Sequence, residues 1–141
     1  MKKQRTLLVP FDGSPCAQRA LALACQRYLD GGYASVVALN VQTPMASSQF
    51  VSEQMIHDHQ HQLSEEALEK ARKVAAKFNI TLVCATACEE PATAIVGFAR
   101  KSKGDEIIMG TRGLGRLGGL LLGSTATRVV QLADVPVTLV K

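Results

Sequence analysis

Apolar residues in this chain fall into short runs that alternate with longer stretches of helical periodicity. Leu7-Leu8-Val9-Pro10-Phe11 is such a run, cut off by Asp12-Gly13-Ser14-Pro15. It reads as a buried strand followed by a helix start, with Ser14 as cap and Pro15 at the first helical position. Ala17, Ala20, Leu21, Ala24 and Tyr28 then share one helical face, and Gly31-Gly32 stops the helix. Ser35 to Val41 (SVVALNV) is apolar on both faces, as in a strand covered on both sides. A polar connection follows, Gln42 to Gln49, with Pro44 inside it.

A long helix is predicted from about Phe50 to Phe78, with Val51, Met55, His59, Leu63, Ala67, Ala71, Ala75 and Phe78 as its inner stripe. Glu66-Lys70 and Glu69-Lys73 lie at helical pair spacing on its outer face. Ile80 to Ala87 is the third strand, and Pro91 opens a helix running to about Lys103. Asp105 to Met109 is the fourth strand, Gly110 to Gly123 a glycine-rich loop, Ser124 to Ala133 the last helix and Val135 to Val140 the fifth strand. Strand and helix alternate throughout, which predicts an α/β fold: residues 1–141 as a single domain, a five-stranded parallel sheet with helices on both faces.

The 141-residue chain is 47% hydrophobic but only 4% aromatic, so its core must come from Val, Leu, Ile and Ala. The net charge of +4 is spread without a basic block or interleaved aromatics, which argues against a nucleic-acid partner. No apolar stretch has the length of a membrane span, and the run after the basic Met1–Arg5 segment is too short for a signal peptide. The expectation is a cytoplasmic protein without membrane association. Cys16, Cys25, Cys84 and Cys88 form no CxxC pair and are expected to be reduced, with Cys16 near a helix N-terminus, where a thiolate is favoured.

The chemistry concentrates in the loop from Gly110 to Thr125, between a buried strand and a helix. A doubly wound sheet binds phosphate there, past the carboxyl ends of its strands and on the free N–H groups of a helix start. Gly123 admits a close approach to the backbone, Ser124 and Thr125 add hydroxyls, and Gly110 and Gly113 turn the chain off the strand, with positive φ as the expected conformation. The loop lacks the lysine of a P-loop. Gly113-x-Gly115-x-x-Gly118 matches the dinucleotide fingerprint only by chance, since no acidic residue ends a following strand.

Gly110-x2-Gly113-x9-Gly123-Ser124 resembles the ATP-binding signature of the nucleotide-binding branch of the universal stress proteins. The opening LLVPFDGS and the closing LLGSTATRVV…VPVTLVK resemble that family too, so the likeness spans the chain. It implies strand order 3-2-1-4-5, with Asp12 beside Gly110. It implies a site for ATP in which Pro10, Phe11 and Asp12 end the first strand, Asp12 reaching the ribose or a phosphate-bound Mg. Val41 offers its backbone to adenine, Met109 and Gly110 line the pocket, and Gly113, Gly123, Ser124 and Thr125 bind phosphates. Arg112 and Arg116 flank the loop and add charge, although the motif requires neither. It also implies a homodimer through strand 135–140, an apolar edge open to pairing.

Two features depart from the family pattern: Glu89-Glu90-Pro91 stands where relatives often have Gly two residues before Pro, and His57-Asp58-His59-Gln60-His61 clusters on the long helix. His57 and His61 have the spacing of a helical metal pair but lack a third ligand, and read as solvated or core-edge residues. Nothing in the sequence supplies an arginine finger or base for attack on a γ-phosphate, so hydrolysis is expected to be slow or absent. Two further readings remain: a nucleotidyl or phosphoryl transferase with Asp12 as base, and an interaction protein with an empty pocket.

Overall fold

The computed structural model describes residues 4–114 and 122–141. Its elements are β1 (Thr6–Pro10), α1 (Pro15–Asp30), β2 (Ser35–Gln42), α2 (Glu53–Ala76), β3 (Val83–Cys88), α3 (Pro91–Lys101), β4 (Gly104–Gly110), α4 (Ser124–Leu132) and β5 (Val137–Val140). The strands pair in parallel as one sheet in the order β3-β2-β1-β4-β5. Neither β1–β2 nor β1–β4 is interrupted by another strand, so β1 is central and its two neighbours diverge from it toward opposite edges.

Residue alternation along the strands feeds two separate cores. Leu7, Val9, Val36, Ala38 and Ile108 pack with Ala20, Leu21 and Ala24 of α1 and Ala67, Leu68 and Ala71 of α2. Leu8, Val37, Leu39, Ile107 and Met109 pack with Ile95, Val96 and Ala99 of α3 and Ala126 and Val129 of α4. The many alanines let helices lie close to the sheet, and the double-sided burial explains why these strands are apolar without alternation. Where β1 meets β4, the register slips between Thr6 and Leu7. Asp105, the residue passed over, accepts the Thr6 N–H through Oδ2 at 2.9 Å.

Helix ends follow the sequence closely. The Ser14 side chain accepts the Ala17 N–H, and Gly31, at φ 101°, closes α1. The inner stripe of the long helix is corrected in its first half. Val51, Met55 and Leu63 are exposed, as is His59. Ile56, Ser64, Ala67, Leu68, Ala71 and Ala75 are the buried positions. A helix of 24 residues is about 36 Å long, whereas the 8 residues of β2 cover roughly 26 Å. The helix is thus longer than the strand it lies on, and Ile56 is the buried position of its first two turns. On the outer face, Arg72 pairs with Glu65 and Glu69 at 3.7 and 3.6 Å. No helix among the described residues is long and apolar enough to cross a membrane.

Candidate functional site

The chain leaves β1 through a turn that Gly13 makes possible. Its φ of +87° lies in the region L side chains avoid. In that turn Asp12 Oδ1 accepts the Ser14 N–H at 2.9 Å, while Oδ2 accepts the Leu114 N–H at 3.2 Å from the far side of the crevice. Asp12 thus joins the end of β1 to the loop after β4, as the strand order requires.

Gly110 and Gly113 work differently from the expectation. The positive-φ glycines among the described residues are Gly13, Gly31 and Gly32, so neither loop glycine is needed for its φ. Each is needed for its missing side chain. A Cβ on Gly110 would stand 2.6 Å from Cys16 Cβ, and one on Gly113 would stand 2.6 Å from Asp12 Oδ2. The base of the loop is pinned by Thr111, whose N–H donates to Val140 O at 2.8 Å and whose carbonyl accepts from Gly123 N at 2.6 Å.

These parts surround a cavity of about 360 Å³. Its apolar lining includes Pro10, Phe11, Leu39, Val41, Ile95 and Met109. Its polar lining includes Asp12, Thr111, Arg112, Ser124 and Thr125, with Gly110, Gly113 and Gly123. Every residue that the sequence singles out for the site borders this cavity, apart from Arg116, which lies outside the described residues.

The helix starts differ in a way that matters for anions. Ser14 caps α1, Ser52 caps α2 and the Glu90 carboxylate caps α3, each accepting backbone N–H groups. α4 begins at Gly123 without a side-chain cap. Its intrahelical ladder starts with Thr127 N donating to Gly123 O at 3.0 Å, so the amides of Ser124, Thr125 and Ala126 precede the ladder. Because the Gly123 N–H is spent on Thr111, its contribution is the absent Cβ. Among the described residues, α4 is therefore a helix start with no side-chain cap, and its dipole favours an anion in the cavity.

The family model of the universal stress proteins matches residues 4–141. The chain belongs to the universal stress protein family. A universal stress protein of Thermus aquaticus is 33% identical over 146 residues, covering 97% of this chain and 98% of its own. One from Methanocaldococcus jannaschii is 31% identical over 139 residues, covering 97% and 82%. Among solved structures, a universal stress protein in complex with cAMP matches with a TM-score of 0.73 at 24% identity, over 97% of each chain. The Archaeoglobus fulgidus protein in complex with dAMP matches with a TM-score of 0.70 at 20% identity, over 100% of each. At these identities the structural likeness establishes the shared fold.

Several features of this universal stress protein escape sequence reading. Pro91 and Ile95 wall the cavity from α3, a pair at helical spacing whose direction only the packing fixes. Glu90 replaces an ordinary cap. Hydrogen bonds from the Thr93 hydroxyl and N–H hold its carboxyl below the usual carboxylate range, and Arg128 of α4 lies 3.6 Å away. His57, His59 and His61 are exposed on α2 and do not border the cavity. Among the described residues no three His, Cys, Asp or Glu side chains converge on a metal position. Cys16 is buried at the start of α1 with Arg19 Nη2 3.2 Å from its sulfur, and burial pushes the Cys25 thiol up to about 11.

Proposed function

We propose that this protein is a single nucleotide-binding domain that holds ATP, base in the apolar half of the cavity and phosphates against the bare start of α4. The observation that carries this reading is the α4 start, without a side-chain cap, whose Ser124 and Thr125 line a cavity of mixed apolar and polar residues at the sheet's switch point. Relatives of the same fold bound to cAMP and dAMP support an adenine nucleotide as the ligand class. In this arrangement Val41 presents its backbone to the base at the end of β2. Pro10, Phe11 and Met109 supply apolar surface, and Asp12 faces the ribose. Gly110 and Gly113 keep the loop clear of side chains, and Gly123, Ser124, Thr125 and Arg112 receive the phosphates.

A Mg ion suits the donor set. Such an ion takes one or two carboxylates, phosphate oxygens and several waters. Asp12 is exposed and, among the described residues, accepts one N–H on each carboxylate oxygen, about half of what a carboxylate can accept. Bound there with the nucleotide, Mg would supply charge neutralisation between phosphate oxygens. The same two bonds orient Asp12 as a fixed acceptor, which favours holding ligand over abstracting a proton. Slow or absent hydrolysis follows, and with it a stress-response or signalling function exercised through the bound state in the cytoplasm.

Association completes the reading: a homodimer through residues 135–140. β5 is an edge strand of the sheet, and its Leu139 is exposed, as are Val130 and Leu132 of α4. Acid extraction and equilibrium dialysis test the ligand. Stoichiometric ATP binding with negligible turnover is expected. No binding would overturn the site, and turnover on the kinase scale of about 1–100 per second would overturn the binding-protein reading. Light scattering at micromolar concentration is expected to give twice the chain mass, and a monomer would overturn the dimer.

A further inference from the structure

Leu39 and Val41 line the cavity from β2, and the residue between them faces the opposite way. Asn40 ends the row Val36–Ala38 on the α1/α2 face, where it is 3% exposed. An amide buried at the end of an apolar row is the informative exception to an apolar core. Its Nδ2 donates to the Phe11 carbonyl at 2.9 Å, and its Oδ1 accepts from Ser64 Oγ at 2.8 Å and Gln42 Nε2 at 2.9 Å. The orientation of this amide is determined, because a backbone carbonyl only accepts and a Gln Nε2 only donates.

The Phe11 carbonyl belongs to the peptide that leads into Asp12. The β1–β2 register ends at Pro10 and Leu39, and the Phe11 N–H still donates to Leu39 O at 2.8 Å. One step further, the Asn40 side chain takes over from the ladder. Both polar groups of Phe11 are therefore held by β2, and the direction in which Asp12 departs is set with them. Ser64, itself 5% exposed, anchors the arrangement to α2. The same helix backs the next residue: a Cβ on Gly13 would meet Lys70 Cδ at 3.5 Å and Ala67 Cα at 3.9 Å.

The geometry points to Asn40 and Ser64 as positioning residues of the nucleotide site, fixing the Phe11–Asp12 and Val41 walls from behind. This rests on the nucleotide reading above. Burial of an amide and a hydroxyl adds little net stability, since water offers the same bonds to the unfolded chain and an apolar pair would fill the space as well. What the network adds is a single orientation of three elements.

The test measures ATP affinity by calorimetry, well below the melting temperature, and the ligand-free melting temperature separately. Ser64→Ala is expected to weaken ATP about fivefold while the ligand-free protein melts only about 2–5 °C below the original, remaining folded at the temperature of the binding measurement. Ser64→Thr, which keeps the hydroxyl, is expected to restore affinity. Asn40→Leu, which removes the donor to Phe11, is expected to weaken ATP by more than tenfold. Unchanged affinity in Ser64→Ala would overturn the inference, as would a loss that Ser64→Thr fails to rescue. If the original protein itself binds no ATP, the nucleotide reading fails first, and the inference with it.

Discussion

Glu106 and Asp12 are carboxylates on adjacent strands, one near the amino end of the sheet and one just past its carboxyl end, and the protein treats them in opposite ways. Glu106 is buried and receives hydrogen bonds from side chains of three other segments: Arg27 of α1, Tyr33 before β2 and Thr138 of β5. Asp12 is exposed and, among the described residues, receives only backbone N–H groups, from Ser14 and Leu114. The first carboxylate has its acceptor capacity absorbed by the fold and ties it together. The second is steadied but left facing the cavity. A charge made inward-facing by many donors reports architecture, and one oriented by a few main-chain bonds is available to a ligand.

Removing each carboxylate's setting breaks this comparison most directly. Glu106→Ala leaves a guanidinium, a phenol and a hydroxyl without their shared acceptor, and is expected to cost about 2–3 kcal/mol in urea unfolding. That is less than for a fully buried pair, because the Arg27 side chain is 35% exposed. ATP affinity of the folded fraction is expected to be unchanged, and a parallel loss would mean that the two ends are not independent. Gly113→Val should do the reverse: its Cβ displaces Asp12, so ATP binding weakens at least tenfold, about 1.4 kcal/mol. Gly113 and Asp12 are both exposed, so losing the two N–H bonds of Asp12 should cost about 1–2 kcal/mol in unfolding, below the cost of Glu106→Ala. Unaltered ATP affinity would remove Asp12 and Gly113 from the site.

Smaller effects sharpen the amino end. Tyr33→Phe, losing one bond to Glu106, should cost about 1 kcal/mol in the same unfolding measurement. Its titration adds an independent readout. The hydrogen bond to Glu106, with burial, raises the Tyr33 pKa above its usual 10. The folded phenol keeps a proton that the unfolded chain releases near pH 10, so this contribution is intact below pH 10 and is lost as pH rises through the folded value. Absorbance titration of a Tyr28→Phe protein should report Tyr33 alone. Glu106→Gln should return the Tyr33 transition toward 10, and an unmoved titration would deny the contact.

The order of elements was legible because β1 and β4 are short apolar runs closed by Asp12-Gly13 and Gly110, and because Ser14, Pro15 and Gly31 mark helix ends by local chemistry. The loop was legible for the same reason, its glycines and Ser124 being adjacent in the chain. What periodicity does not reveal is where a helix stops having something to lie on, so Met55, His59 and Leu63 fit the pattern and still face solvent. Nor does it show partners far apart in the chain. Glu106 looks like a strand-end charge until Arg27 and Tyr33 arrive, and Ser64 looks like an outward polar residue until Asn40 meets it. Glu90 is missed because glutamate is an uncommon cap, recognisable only once its oxygens lie on the Ala92 and Thr93 N–H groups.

The contact between Gly110 and Cys16 bears on how this protein can change over generations. A methyl at position 110 would meet not only the Cys16 side chain but also its backbone carbon, at 3.0 Å. Trimming residue 16 to glycine would remove the 2.6 Å contact but leave this one and Ala17 N at 3.2 Å, so the first turn of α1 would still have to give way. A saturation scan should find position 110 as intolerant as any ligand-contacting glycine, for reasons of steric fit between helix and strand. Mutational sensitivity around the cavity is thus a poor map of where the ligand lies.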